Sequence, residues 1–315
     1  MPNLNKLRGS RHPCAHRGSL LHAFITAIGL WLAITGLSVS ADTTLLPYQS
    51  ADMSVGASSC ASATCHGATV PWQNTAILHN EFTAWANLDA HAQAYKTLEG
   101  KAALQIAKKL NLSDAPSQSA VCLNCHSHNI SPTTQGKQFN ISEGVGCESC
   151  HGPAGRWLEP HRAPDATHAK NLTLGMYPNN NAIERASLCV SCHVGNERNQ
   201  ITHRIMAAGH PRLSFEITTF SALGQTHYQI ADAPHSPKNT NADSIKLWAI
   251  GQALASQQLL KTLADPKRGR NGLFPELTLY DCHSCHHVMS GLKATQAASV
   301  GKGKLQLNNS NLLML

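Results

Sequence analysis

The chain has 315 residues, of which 14% are charged and 5% aromatic, yet it carries 11 cysteines and 19 histidines. So many thiols and imidazoles exclude an ordinary cytosolic enzyme and point to metal chemistry. The length excludes a disulfide-stapled mini-domain, and no apolar run of about eighteen residues follows the N-terminal region, which excludes a polytopic membrane protein.

Residues 1–19 hold Lys6, Arg8, Arg11 and Arg17 with no acid, and Leu20 to Leu37 is almost wholly apolar. A basic region followed by an apolar core is a secretory leader. Val39-Ser40-Ala41 supplies the small residues that a signal peptidase reads, so residues 1–41 are expected to be removed, an uncleaved single-helix membrane anchor being the alternative. Either way the body is exported, and a periplasmic location is expected. With no twin-arginine pair, the chain crosses unfolded, before any cofactor is attached. The leader takes Cys14 and four basic residues with it, leaving ten cysteines and 21 basic against 18 acidic residues. The formal charge of +7 thus falls to about +3.

All ten remaining cysteines fall into five motifs. Cys122-Leu-Asn-Cys125-His126, Cys147-Glu-Ser-Cys150-His151, Cys189-Val-Ser-Cys192-His193 and Cys282-His-Ser-Cys285-His286 are copies of Cys-x-x-Cys-His. Cys60-Ala-Ser-Ala-Thr-Cys65-His66 is a wider fifth. Cys-x-x-Cys-His is the c-type haem attachment signature: two thiols bond one porphyrin covalently, and the adjoining imidazole becomes the proximal iron ligand. Zinc or disulfides are the competing readings for an exported chain of this kind. Ten cysteines do not divide into four-thiolate sites, and neither reading explains a histidine after every second cysteine. Five covalent haems are therefore expected, with His66, His126, His151, His193 and His286 as proximal ligands. Porphyrins at this density would form much of the core, which accounts for the few aromatic side chains.

The other histidines are candidates for the distal position. Residues 76–98 read as one helix, with Ala84, Leu88, His91, Tyr95 and Leu98 along one face, so His91 points inward and His79 is displaced from that face. A second amphipathic run from Gly100 to Leu110 ends in the polar linker 113–119. After Gly152-Pro153 a short turn carries Trp157, Leu158 and His161, with His168 beyond it. His128 follows a proximal histidine too closely to reach the far face of the same haem. Between Thr202 and Arg212, His203 and His210 stand seven residues apart and share a face if that segment is helical. Met206 between them reads as packing rather than as a ligand. The distal candidates are thus His91, His161, His203, His210 and His168. Arg204 and Arg212 can pair haem propionates or bind an anionic substrate.

Residues 231–244 read as a loop, followed by a helix capped by Asp243 or Ser244 and closed by Asp265-Pro266. From 291 to 315 the composition reads as a flexible tail, which leaves 42–290 as the body. With five ferric haems each adding about −1, the loaded protein falls near −2, so its composition gives no support for nucleic-acid binding.

The five motifs, the phrase Trp85-Ala-Asn-Leu-Asp-Ala-His91-Ala-Gln-Ala-Tyr95, the run Cys147-Glu-Ser-Cys150-His151-Gly152-Pro153 and Gly209-His210-Pro211-Arg212 resemble the multihaem cytochromes of the cytochrome c-552/c-554 domain family. The resemblance runs from Cys60 to about Met289. It implies a mainly α fold with little regular strand, built around stacked and mostly bis-histidine haems, and a role in periplasmic electron transfer with redox proteins as donor and acceptor. His91, His161 and His210 match its distal positions. The best-known members carry four haems, whereas this chain has five motifs. Three functions remain open: an electron relay in which every iron is saturated; an oxidoreductase with one open iron acting on a nitrogen or sulfur oxide or hydroxylamine; and a haem-based sensor or scaffold.

Overall fold

A computed structural model of the chain describes residues 44–75, 77–223, 227, 241–286 and 306–311. The leader, the loop 231–240 and most of the expected tail lie outside the described residues. In chain order the helices are α1 (Glu81–Leu88), α2 (Ala94–Thr97), α3 (Lys101–Leu110), α4 (Ala120–His126), α5 (Cys147–His151), α6 (His168–Thr173), α7 (Ala182–His193), α8 (His203–Ala208), α9 (Ile217–Leu223) and α10 (Asn241–Ala264). Single 3-10 turns join several of them. Among the described residues the only paired strands are β1 (Arg270–Asn271) and β2 (Phe274–Pro275), a two-residue hairpin. The fold is mainly α, and no helix among the described residues is long and apolar enough to cross a membrane.

Three of the motifs end or fill a helix: Cys122–His126 closes α4, Cys147–His151 is α5, and Cys189–His193 closes α7. Cysteines three apart on a helix lie on one face, so a single turn presents both thiols to the same side. The wider Cys60–Cys65 pair cannot use one turn. There the chain loops, and the His66 amide donates back to the Cys60 carbonyl at 3.2 Å.

The single helix expected over 76–98 is broken. Helix α1 stops at Leu88, Asp89 is extended, a 3-10 turn covers Ala90–Gln93, and α2 follows. The cause is local: the Asp89 side chain accepts the His91 amide at 2.9 Å, which offers the backbone an alternative to continuing the helix. Gly144 lies against this turn with φ +75, and a Cβ there would come within 2.7 Å of the His91 carbonyl oxygen. Its neighbour Val145 donates its amide to that oxygen at 3.1 Å, while the Trp85 indole donates to the Val145 carbonyl at 3.2 Å.

His203 and His210 do not share one helix face. The Thr202 side chain caps α8, but Gly209 with φ 121 terminates it, so His210 leaves in a different direction. The two expected runs around Leu110 and Leu254 do form helices. Helix α3 is closed by Asn111 in the left-handed conformation, φ 55. Helix α10 ends at Asp265, whose carboxylate takes the amides of Lys267 and Arg268 at 2.8 and 3.0 Å. It packs on α7 and α9, and the crossing is close because Gly251 faces Ile217, where a Cβ would lie 2.7 Å from Ile217 Cγ2. The segment read as a free tail returns in part: Asp281 donates its amide to the Gln306 carbonyl and Asn308 to that of Leu279, both at 2.8 Å.

Buried carboxylates tie distant segments together. Glu148, inside the third motif and 3% exposed, accepts the amides of Val55 at 2.9 Å, Gly56 at 2.8 Å and Ala154 at 2.7 Å. Burial pushes its carboxyl above the ordinary range despite these bonds. Glu143 takes the amides of Ala57 and Ser58 at 2.8 and 3.1 Å, so two acids dock the first motif onto the third. Replacing Glu148 by Ala strands three amides, two of them buried, and the variant is expected to lose roughly 3 kcal/mol, each orphaned buried donor costing about 1–3 kcal/mol. Gln, which keeps one acceptor oxygen, should lose about half as much. Chemical unfolding of the two variants measures the difference.

Candidate functional site

Each motif histidine faces a second imidazole brought from elsewhere in the chain. The ring centres are 6.3 Å apart for His66 and His161, 6.4 Å for His126 and His210, and 6.1 Å for His151 and His227. They are 5.9 Å apart for His193 and His91 and 6.2 Å for His286 and His203. Two imidazoles bound through nitrogen to one metal, with bonds of about 2 Å, hold their ring centres about 6 Å apart. The five pairs therefore have the spacing of bis-histidine centres.

Four of the distal candidates, His91, His161, His203 and His210, stand opposite motif histidines. His168 does not. It is exposed at the first position of α6, where the Thr167 cap directs the chain along the surface, and His227 occupies the place opposite His151 instead. Nothing in the local sequence marks His227, since the residues around it show no helical periodicity. His128 is a core residue: it is 7% exposed, its Nε2 shares a hydrogen bond with Ser54 Oγ at 2.9 Å, and burial pushes its pKa down to about 4.

His66 has a second imidazole nearby, that of His79, with ring centres also 6.3 Å apart. The His79 ring hydrogen-bonds the carbonyl of Cys65 and stacks on Trp72 at 4.0 Å. Bonding to the residue that precedes His66 holds it on the motif's own side, and His161 is left as the imidazole opposite. His161 itself is oriented by a bond from Nδ1 to the Leu158 carbonyl and by the edge of Trp157, 5.4 Å away.

The electrostatics of these rings fall into two groups. Burial pushes His151 and His193 down to about 4 and lowers His126 and His227, so each is a neutral imidazole at pH 7 with a lone pair on one nitrogen. His66 and His91 are raised, in each case chiefly by a carboxylate on Nδ1: Glu81 Oε2 for the first and Asp89 Oδ1 for the second, both at 2.9 Å. Because a carboxylate only accepts, Nδ1 carries the proton and Nε2 is directed to the metal. The other rings that have an acceptor on Nδ1 use neutral oxygens, that of Ala94 for His126 at 3.0 Å and that of Pro211 for His210 at 2.8 Å.

The thiols also fit. Among the described residues none of the ten cysteines is in a disulfide, and no three His, Cys, Asp or Glu side chains converge as a metal-ion cage. Alanine is the commonest buried apolar residue there. The motifs are held against one another. Arg198 donates to Asn124 Oδ1 at 2.7 Å and to the Asn129 carbonyl, which joins the fourth motif to the second. Arg204 donates to the Leu110 carbonyl at 2.9 Å and Arg212 reaches Cys282 Sγ at 3.3 Å.

Paired cysteines followed by a histidine that meets a second imidazole define a c-type cytochrome. Residues 59–152 match the family model described as cytochrome c554 and c-prime, and that segment is a c-type cytochrome domain of the c-552/c-554 family. Neither the curated proteins nor the solved structures yielded a match. The domain carries covalently bound c-type haem with its iron, and its role is electron transfer or redox chemistry. The matched segment contains the motifs at Cys60, Cys122 and Cys147, while those at Cys189 and Cys282 lie beyond it.

Changing His227 to Ala should leave one iron five-coordinate, so that reduced holoprotein gains a carbon monoxide difference band worth one haem. His168→Ala should add none. Difference spectra of the two variants beside the parent protein check both outcomes.

Proposed function

We propose that this chain is an exported pentahaem cytochrome that relays electrons and does not itself turn over a substrate. The observation that carries this reading is the presence of a second histidine, 5.9–6.4 Å away, opposite each of the five motif histidines. An iron held by two imidazoles changes oxidation state without exchanging a ligand, and binds no nitrogen or sulfur oxide. The cysteines Cys60, Cys65, Cys122, Cys125, Cys147, Cys150, Cys189, Cys192, Cys282 and Cys285 would hold the five porphyrins, supplying one-electron chemistry when bound.

The chain's own residues then do three things. The motif cysteines would hold each porphyrin by thioether bonds, the second histidines would supply the other iron ligand, and the bonds of Glu143 and Glu148 bring the first motif against the third while those of Arg198 join the second to the fourth. These contacts support short steps between neighbouring centres. The basic and apolar leader supports export to the periplasm, where redox proteins would serve as donor and acceptor.

Holoprotein quantified by pyridine haemochrome should contain close to five haems per chain. Its reduced spectrum should not change when carbon monoxide is added. A carbon monoxide shift amounting to one haem in five would replace the relay by an oxidoreductase with an open iron, and a count of four would remove the Cys60–His66 motif from the set.

A further inference from the structure

Asp89 sits between two of the five histidine pairs. Its Oδ1 takes both the His91 amide and His91 Nδ1, each at 2.9 Å, and its Oδ2 lies 4.0 Å from Nδ1 of His227. His91 stands opposite His193 and His227 opposite His151. The carboxylate is 16% exposed, so water screens it poorly.

We propose that Asp89 is a shared positioning residue for two haems, setting the reduction potentials of the centres at His151 and His193 together. The inference rests on the ligand pairs proposed above. A carboxylate behind a metal-bound imidazole fixes the ring's orientation and makes its other nitrogen a stronger donor. A fixed negative charge beside an iron centre favours the ferric over the ferrous state, and hydrogen bonding and net charge are among the levers by which a protein sets haem potentials. Asp89 applies the first effect through His91 and the second to both centres at once. The centre at His126 is its internal contrast, because His126 and His210 bond only neutral oxygens through Nδ1. The centre at His66 has a separate carboxylate, Glu81.

The break in the helix at Asp89 is what makes this sharing possible. As the cap of the 3-10 turn, the residue cannot point along the α1 face, and its second oxygen is turned toward the segment that carries His227. Sequence distance makes the arrangement unexpected, since His91 and His227 belong to separate segments that meet only in the fold.

The test is a redox titration of holoprotein followed by electron paramagnetic resonance, with Asp89→Asn and Asp89→Ser compared with the parent. Both replacements keep an oxygen that can cap the turn and remove the charge. The expected result is that two of the five haems, and only two, become easier to reduce, by about tenfold in the ferric-to-ferrous ratio at a fixed potential, or ~59 mV. All five low-spin bis-histidine signals should persist. No shift, or a shift of one haem only, overturns the shared role. A new high-spin signal would also overturn it, showing that Asp89 merely holds an imidazole in place. Failure of the ligand pairs themselves reads differently: H91A and H227A would then not each convert one separate haem to a high-spin form.

Discussion

Under the proposed ligation two imidazoles from different segments must meet at each iron, and that requirement would organise this molecule. A c-type motif supplies one imidazole next to its own thiols and no second one, because a residue close in sequence cannot pass to the other face of the porphyrin. The second histidine must come from a different segment. In this chain His161 stands opposite the histidine of the first motif, His210 that of the second, His227 that of the third, His91 that of the fourth and His203 that of the fifth. The connections run both ways along the sequence, so no motif region is complete alone and the short helices are drawn together by their sites.

Such short helices have little stability of their own, since nucleation is costly and a run of five to seven residues adds few hydrogen bonds. They are fixed instead by buried acids that gather backbone amides. Glu148 and Glu143 hold the first motif against the third. Glu276, 2% exposed, accepts the His203 amide at 2.7 Å and the Thr278 amide at 3.1 Å, which joins α8 to the turn preceding the last motif. Asp89 caps its own turn and binds a ligand ring as well. In each case a carboxylate that is costly to bury is retained where it satisfies several donors at once.

The five histidine pairs, the proposed centres, are alike in side-chain type and differ in what stands behind the rings. Carboxylates back His66 and His91, while neutral oxygens back His126 and His210. Because outer hydrogen bonds tune a metal as much as the ligands do, one attachment motif repeated along the chain can yield centres of unequal potential. An electron relay needs that inequality to run in one direction.

The paired cysteines and their adjoining histidines form a pattern visible in the sequence, because covalent attachment demands neighbouring residues at a fixed spacing, and such a demand is written locally. The helices at 101–110 and before Asp265 were legible from apolar periodicity, the latter beginning at Asn241 within the segment read as a loop, while the mainly helical class was implied by the family resemblance. His161, His91, His203 and His210 could be singled out as distal candidates, but not assigned to a haem. His227, which stands opposite His151, has no periodic pattern around it in the sequence, and His168, exposed at the start of α6, stands opposite no motif histidine; neither burial nor direction is encoded at that range. The break at Asp89 and the stop at Gly209 turned on one side-chain hydrogen bond and one positive φ, each of which overrides a periodic pattern. What the sequence determined by itself is the chemistry that adjacent residues perform. Only the tertiary structure decided which imidazole meets which, and which carboxylate two of them share, because those are distances between segments that nothing but packing brings together.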